Sequence, residues 1–177
     1  MTITTGKLTF GRVPLPERLE LHDIVSDGPN HAFDRLGPRR DLGTCTHRMV
    51  GSLLGTHRYF QGEARERSLT DFGIGGPWDG QLDRAIFQWI PPGLAIDGGD
   101  IDNPYGPAET PGHCAAHVAL VAYLFDRAEV PWDQFPYNPH VGLVTYLEHW
   151  EIGPKACPFA PVRAKTAVTQ AAVRALL

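Results

Sequence analysis

The sequence predicts a mixed α/β domain, a small central β-sheet flanked by helices, and three observations predict it. Apolar residues make up 42% of the 177, enough for one real core and against a disordered chain. Strand-like stretches separated by turn signals come early, and helical periodicity comes late. Gly 19 and Pro 16 together form about a fifth of the chain, against a usual sum of about 12%. The elements should therefore be short and joined by many turns.

Residues 1–40, rich in Pro, charge and turn formers, are expected to form an arm packed on the domain of residues 41–177, with at most one short strand at Lys7–Val13. After the Gly43 break, Thr44–Val50 (TCTHRMV) reads as a buried strand, and Ser52–Phe60 as a helix. LTDFGIGG and LDRAIFQWI read as two strands around Pro77-Trp78-Asp79-Gly80, because Asp-Gly between such runs is a hairpin signal. Residues 91–112, dense in Gly and Pro, are expected to be loop. Thr110-Pro111 then supplies an N-cap and a proline at the first helical position. A helix should run from there to about Ala128, with Val118, Val121, Ala122 and Phe125 at spacings of three and four, ended by Pro131. Further helices are expected at Val141–Leu147 and, Ala-rich, at Val162–Leu177.

Lys and Arg number 16 against 20 Asp and Glu, a net charge of −4 that offers nucleic acid no basic footprint. The N-terminus lacks an apolar core of signal-peptide length, and no stretch approaches 18 apolar residues, so no membrane partner is expected. Cys45, Cys114 and Cys157 include no close pair, so neither a disulfide framework nor a zinc ribbon follows. Gly75-Gly76 has no following GK[ST] and is no phosphate loop.

The most informative stretch is His149-Trp150-Glu151-Ile152-Gly153-Pro154-Lys155-Ala156-Cys157-Pro158-Phe159. A His and a Cys eight apart, with a Gly-Pro turn between them, can converge on one point if the loop folds back. Imidazole and thiolate both suit zinc, and a catalytic zinc needs three protein ligands and one open position. The third ligand would come from elsewhere in the chain. His140 is one candidate, with lining a substrate groove as its other reading.

HWEIGPKACPF resembles the C-terminal zinc motif of the N-acetylmuramoyl-L-alanine amidases, the group that includes bacteriophage lysozyme-type amidases and peptidoglycan recognition proteins. Two weaker matches lie upstream in the family's order. Thr46–Gly51 stands where the family has its first zinc-binding His, and Asp71-Phe72-Gly73-Ile74-Gly75, followed by Asp79-Gly80, stands where it has a Tyr-containing strand and turn. The likeness spans about residues 40–162. It implies a single amidase-like domain whose mixed sheet carries zinc in an open groove.

The resemblance implies His47, His149 and Cys157 as zinc ligands and Lys155 as the residue that stabilises the transition state. The implied reaction is hydrolysis of the amide between N-acetylmuramic acid and L-alanine in peptidoglycan. Zinc would bring the pKa of its water to about 7, and Lys155 would offset the oxyanion charge, a donor of a kind worth roughly 3–4 kcal/mol. Glu148 and Glu151 flank His149 as candidate acceptors for its ring. A monomer made in the cytoplasm without a signal peptide, reaching the wall after release or export, is the expectation.

Two departures stand out. Phe72 occupies the family's tyrosine position, with Tyr59, Tyr105 and Tyr146 as candidates to replace the hydroxyl, and residues 91–112 look too short for the family's acidic strand motif. They keep open a peptidoglycan-binding module that holds zinc with little turnover. A zinc amidase or peptidase for another acyl-peptide is a third reading. If only the hydroxyl is missing, Phe72→Tyr should leave activity equal or raise it.

Plainer readings stand beside these. Without the motif, His47 is a half-buried strand histidine and Lys155 a solvated loop lysine. Cys45 and Cys114 read as packed residues, and His113 with His117 as a surface pair. Trp78, Trp89 and Trp150 read as core before sugar platforms.

Overall fold

The computed structural model describes residues 11–24, 42–49, 51–62, 70–90, 99–103, 111–127, 143–148 and 166–177. Of residues 42–48, 99–103, 111–114, 143–148 and 166–167 it describes the backbone alone. In chain order the elements are β1 (Leu19–Leu21), β2 (Leu42–Arg48), α1 (Leu53–Phe60), β3 (Phe72–Ile74), a 3-10 segment (Pro77–Leu82), β4 (Ile86–Gln88), β5 (Gly99–Asn103), α2 (Pro111–Arg127), β6 (Leu143–Glu148) and α3 (Thr166–Leu176). The six strands form one sheet in the order β1-β4-β3-β5-β2-β6. Every neighbouring pair is parallel except β3 with β4. This is the mixed α/β fold expected from the sequence.

Several elements fall where the chain's pattern puts them. β2 covers most of the TCTHRMV stretch. α1 starts after Ser52, whose hydroxyl accepts from the Gly55 amide at 3.0 Å, as an N-cap does. β3 and β4 form the expected antiparallel pair, with Gly73 opposite Phe87. The link between them is a 3-10 segment rather than a two-residue turn. Gly80 supplies a positive φ of 60° within it, and Asp79 holds it down. The Asp79 carboxylate accepts from the amides of Gly76 and Leu53, both at 2.8 Å, so one side chain ties the segment to the first residue of α1. α2 matches its expected span closely, and α3 covers the described part of its own.

Three expectations are corrected. The first strand is Leu19–Leu21, parallel to β4, and residues 11–13 are not strand. There the amides of Gly11 and Val13 instead donate to the buried carboxylate of Asp126 in the last turn of α2, at 2.9 and 3.1 Å. The expected loop at 91–112 contains β5, which lies inside the sheet between β3 and β2. The expected helix at Val141–Leu147 is instead β6, parallel to β2. LVTYLE contains Val, Thr and Tyr, residues that favour strands, and its pairing with β2 makes it one.

The sheet has a core on each face. On one side Phe72, Ile74 and Ile86 pack with Leu120, Val121, Leu124 and Phe125 of α2 and Val173 of α3. On the other, Phe87 and Trp89 pack with Met49, Leu53 and Phe60 on and beside α1, together with Ile24 and Ile90. The second core approaches the sheet closely. A Cβ at Gly73 would lie 2.3 Å from Cη2 of Trp89, so this strand position admits the indole only as glycine. At Gly75 a Cβ would lie 1.9 Å from the Leu82 carbonyl oxygen, so the chain can close back on itself there only without a side chain. No helix among the described residues is long and apolar enough to cross a membrane.

Candidate active site

Strands β3, β5, β2 and β6 run in one direction, so their carboxyl ends gather at one edge. In open α/β sheets that edge is where ligands bind, because loops leaving it can diverge around a crevice. His47 is the next-to-last residue of β2, and Asp102 the next-to-last of β5. The register sets them opposite each other. The same register row continues through Gly73 of β3 to Phe87 of β4, on the sheet face that carries α1. On the other side of β2, Glu148 closes β6 opposite Thr46. Three residues with metal-binding or proton-handling chemistry thus stand on three adjacent strand ends.

The structure places His47 in that row. His149, Lys155 and Cys157 lie outside the described residues, as do Glu151, His140, Trp150 and Tyr105. Among the described residues, no three His, Cys, Asp or Glu side chains form a metal cluster. Cys45 lies in β2 two residues before His47, and Cys114 lies in the first turns of α2. Of the candidate tyrosines, Tyr59 is exposed on α1, and Tyr146 stands opposite Thr44 in the sheet.

Phe72 does not belong to this site. It is 4% exposed and packs in the core beneath α2, one register row away from His47 and on the opposite face. The middle segment does contain a strand, since β5, Gly99-Asp100-Ile101-Asp102-Asn103, lies beside β2. His117 is buried at 3% exposure, so His113 and His117 are not a surface pair. Trp89 is core, as expected, but Trp78 is exposed.

Sequence reasoning missed Asp102, whose only local signal was the polar-apolar alternation of Asp100-Ile101-Asp102. It also missed a second group of titratable side chains on the same sheet face. The His22 ring lies over Phe87, centroids 3.8 Å apart, and meets the His57 ring edge-on at 5.1 Å. Trp89 Nε1–H donates to His57 Nδ1 at 3.2 Å, and His22 Nε2 is 3.3 Å from Glu20 Oε2. Burial lowers the His57 pKa below its ordinary value of 6.5, with His22 and Arg58 adding to the shift. By strand count this group stands about 14 Å from the His47 position, three strand spacings away.

A six-stranded mixed sheet with helices on both faces makes this an amidase-like fold. Among solved structures, the chain is similar to the endolysin N-acetylmuramoyl-L-alanine amidase LysCS from Clostridium intestinale URNW. The TM-score is 0.50 at 14% sequence identity, over 87% of this chain and 97% of that one. No protein-family model matches the chain. No curated protein sequence matches it.

Proposed function

We propose that this chain is a zinc-dependent N-acetylmuramoyl-L-alanine amidase that cuts the bond between N-acetylmuramic acid and L-alanine in peptidoglycan. The observation that carries the reading is the register of β2 with β6. Thr46 stands opposite Glu148, and these residues directly precede His47 and His149 in the chain. Two segments 102 residues apart that both hold expected ligands therefore end side by side. The likeness to LysCS supports the same reading at the level of fold.

The donor set suits zinc: two imidazoles, His47 and His149, with the thiolate of Cys157. Zinc, when bound, supplies Lewis acidity and lowers the pKa of water at its open position to about 7. The chain's own residues do the rest. Lys155 would supply an ammonium to the negative charge that develops on the scissile carbonyl oxygen, favouring the tetrahedral transition state over the planar amide. Asp102, opposite His47 in the sheet register, would be the acceptor that holds the imidazole in one tautomer, as carboxylates beside ligand histidines do. A carboxylate near the reacting centre would take the proton given up by the attacking water and pass it to the L-alanine nitrogen as the C–N bond breaks.

The binding-module reading rested on the loss of a tyrosine at Phe72 and on a missing acidic strand. Phe72 is core and β5 carries Asp100 and Asp102, which supports the enzyme reading over the module. We further propose that the enzyme acts as a monomer and reaches the wall after release or export from the cytoplasm.

The purified protein should clear a turbid peptidoglycan suspension, and mass spectrometry should find new L-alanine amino termini on the released stem peptides. Binding without release would restore the module, and other termini would point to another acyl-peptide bond. Cys157→Ser should lower zinc well below one per chain, and full retention of zinc in that variant would remove Cys157 from the ligand set.

A further inference from the structure

We propose that the His57–Trp89 hydrogen bond is a proton-sensitive fastening of α1 to the sheet, closed while His57 is neutral and opened when its Nδ1 takes a proton. The inference does not depend on the amidase reading. The indole N–H is a donor with no acceptor capacity, so its 3.2 Å contact with Nδ1 requires a lone pair there. That fixes His57 as the neutral tautomer with its proton on Nε2. A second proton turns Nδ1 into a donor facing another donor, and the bond is lost.

The surroundings make this bond matter. Trp89 is fully buried, touches Phe60 of α1 edge-on at 4.8 Å, and covers Gly73 so closely that the strand tolerates no side chain. His57 lies on the same helix, whose Leu53 and Phe60 share the core with Trp89. The fastening therefore joins the polar edge of α1 to the centre of that core.

Among the described residues, His22 and Arg58 both oppose a positive charge on His57. From the β1 side, His22 presents its ring edge-on, and Glu20 engages Nε2 of His22 rather than His57. From α1 itself, Arg58 adds a second positive charge. From β4 and the residue after it, the described contacts are the aromatic rings of Phe87 and Trp89. Burial and like charge both disfavour the cation, so His57 binds its proton less readily folded than unfolded. The sign follows. The contribution to stability is complete above the unfolded value of 6.5 and is lost as pH falls through the lower folded value.

The test follows the Trp89 indole N–H by NMR from pH 8 to pH 5 in the full chain, with thermal unfolding measured alongside. The resonance should move from a hydrogen-bonded towards a free position below about pH 6.5, in step with the His57 ring signals. Below pH 6.5 the unfolding midpoint should fall more steeply with pH than it does in His57→Gln. That variant keeps an amide oxygen able to accept from the indole but takes no proton in this range, so its indole signal should stay constant. An indole resonance that does not move while the His57 ring titrates overturns the proposal, and that measurement needs only the unaltered protein. An equal acid loss in His57→Gln overturns it as well.

Discussion

Phe72 shows how far a residue's meaning depends on which side of a strand it faces. As a position in a motif it is a missing hydroxyl, whereas in the structure it is a buried ring among Leu120, Val121 and Phe125. The expectation for Phe72→Tyr changes accordingly. The added phenol oxygen would enter an apolar core, at a cost of roughly 1–3 kcal/mol in stability. Turnover per folded molecule should not rise, and urea unfolding together with the digestion assay measures both. A gain in turnover would return this position to the active site. The neighbouring residue carries the opposite lesson. Gly73 is an unremarked glycine in the sequence, yet it is the point at which the Trp89 indole reaches the sheet. Local pattern reports residue type and periodicity, but not which partner arrives from 16 residues away.

At the level of elements, β2, α1, the β3–β4 pair and α2 were legible because each carries its own signal: a Gly break, a Ser cap, Asp-Gly, or a three-four apolar repeat. β5 and β6 were not. β5 is a Gly- and Asp-containing segment, and its strand state comes from the partners on both sides, β3 and β2. β6 has apolar residues that fit a helical spacing equally well, and its pairing with β2 decides the matter. These two strands also flank the His47 position, so the part of the candidate site that sequence reasoning left out is the part built by sheet pairing. Asp102→Asn tests that part. If Asp102 orients His47, the change should weaken zinc affinity or turnover by about 10–100-fold. It should leave the unfolding midpoint nearly unchanged, because the register of β5 is set by its backbone. Metal titration and the digestion assay read the first effect, and thermal unfolding reads the second. Unaltered zinc affinity and turnover would leave Asp102 outside the site.

Across the whole molecule, two contacts bind distant parts of the chain to one another. Asp79 ties the β3–β4 connection to the start of α1, and Asp126 ties the Gly11–Val13 backbone to the end of α2. A carboxylate at a helix C-terminus is opposed by the helix dipole, and at Asp126 two amide donors offset that placement. Asp126→Ala should cost about 1–3 kcal/mol by leaving both amides without their acceptor. Hydrogen exchange should accelerate at Gly11 and Val13 while the β3–β4 amides keep their protection; unchanged exchange at these two amides would show that other contacts hold the segment. The chain alone specifies the mixed α/β class and the positions of β2, α1, β3, β4, α2 and α3, because composition, caps and helical periodicity are local properties. Tertiary structure decided that β5 and β6 are strands, that Asp102 stands opposite His47, that Phe72 is core, and that His57 meets Trp89. Strand pairing and face assignment are set by residues remote in the chain, and no local window contains both partners.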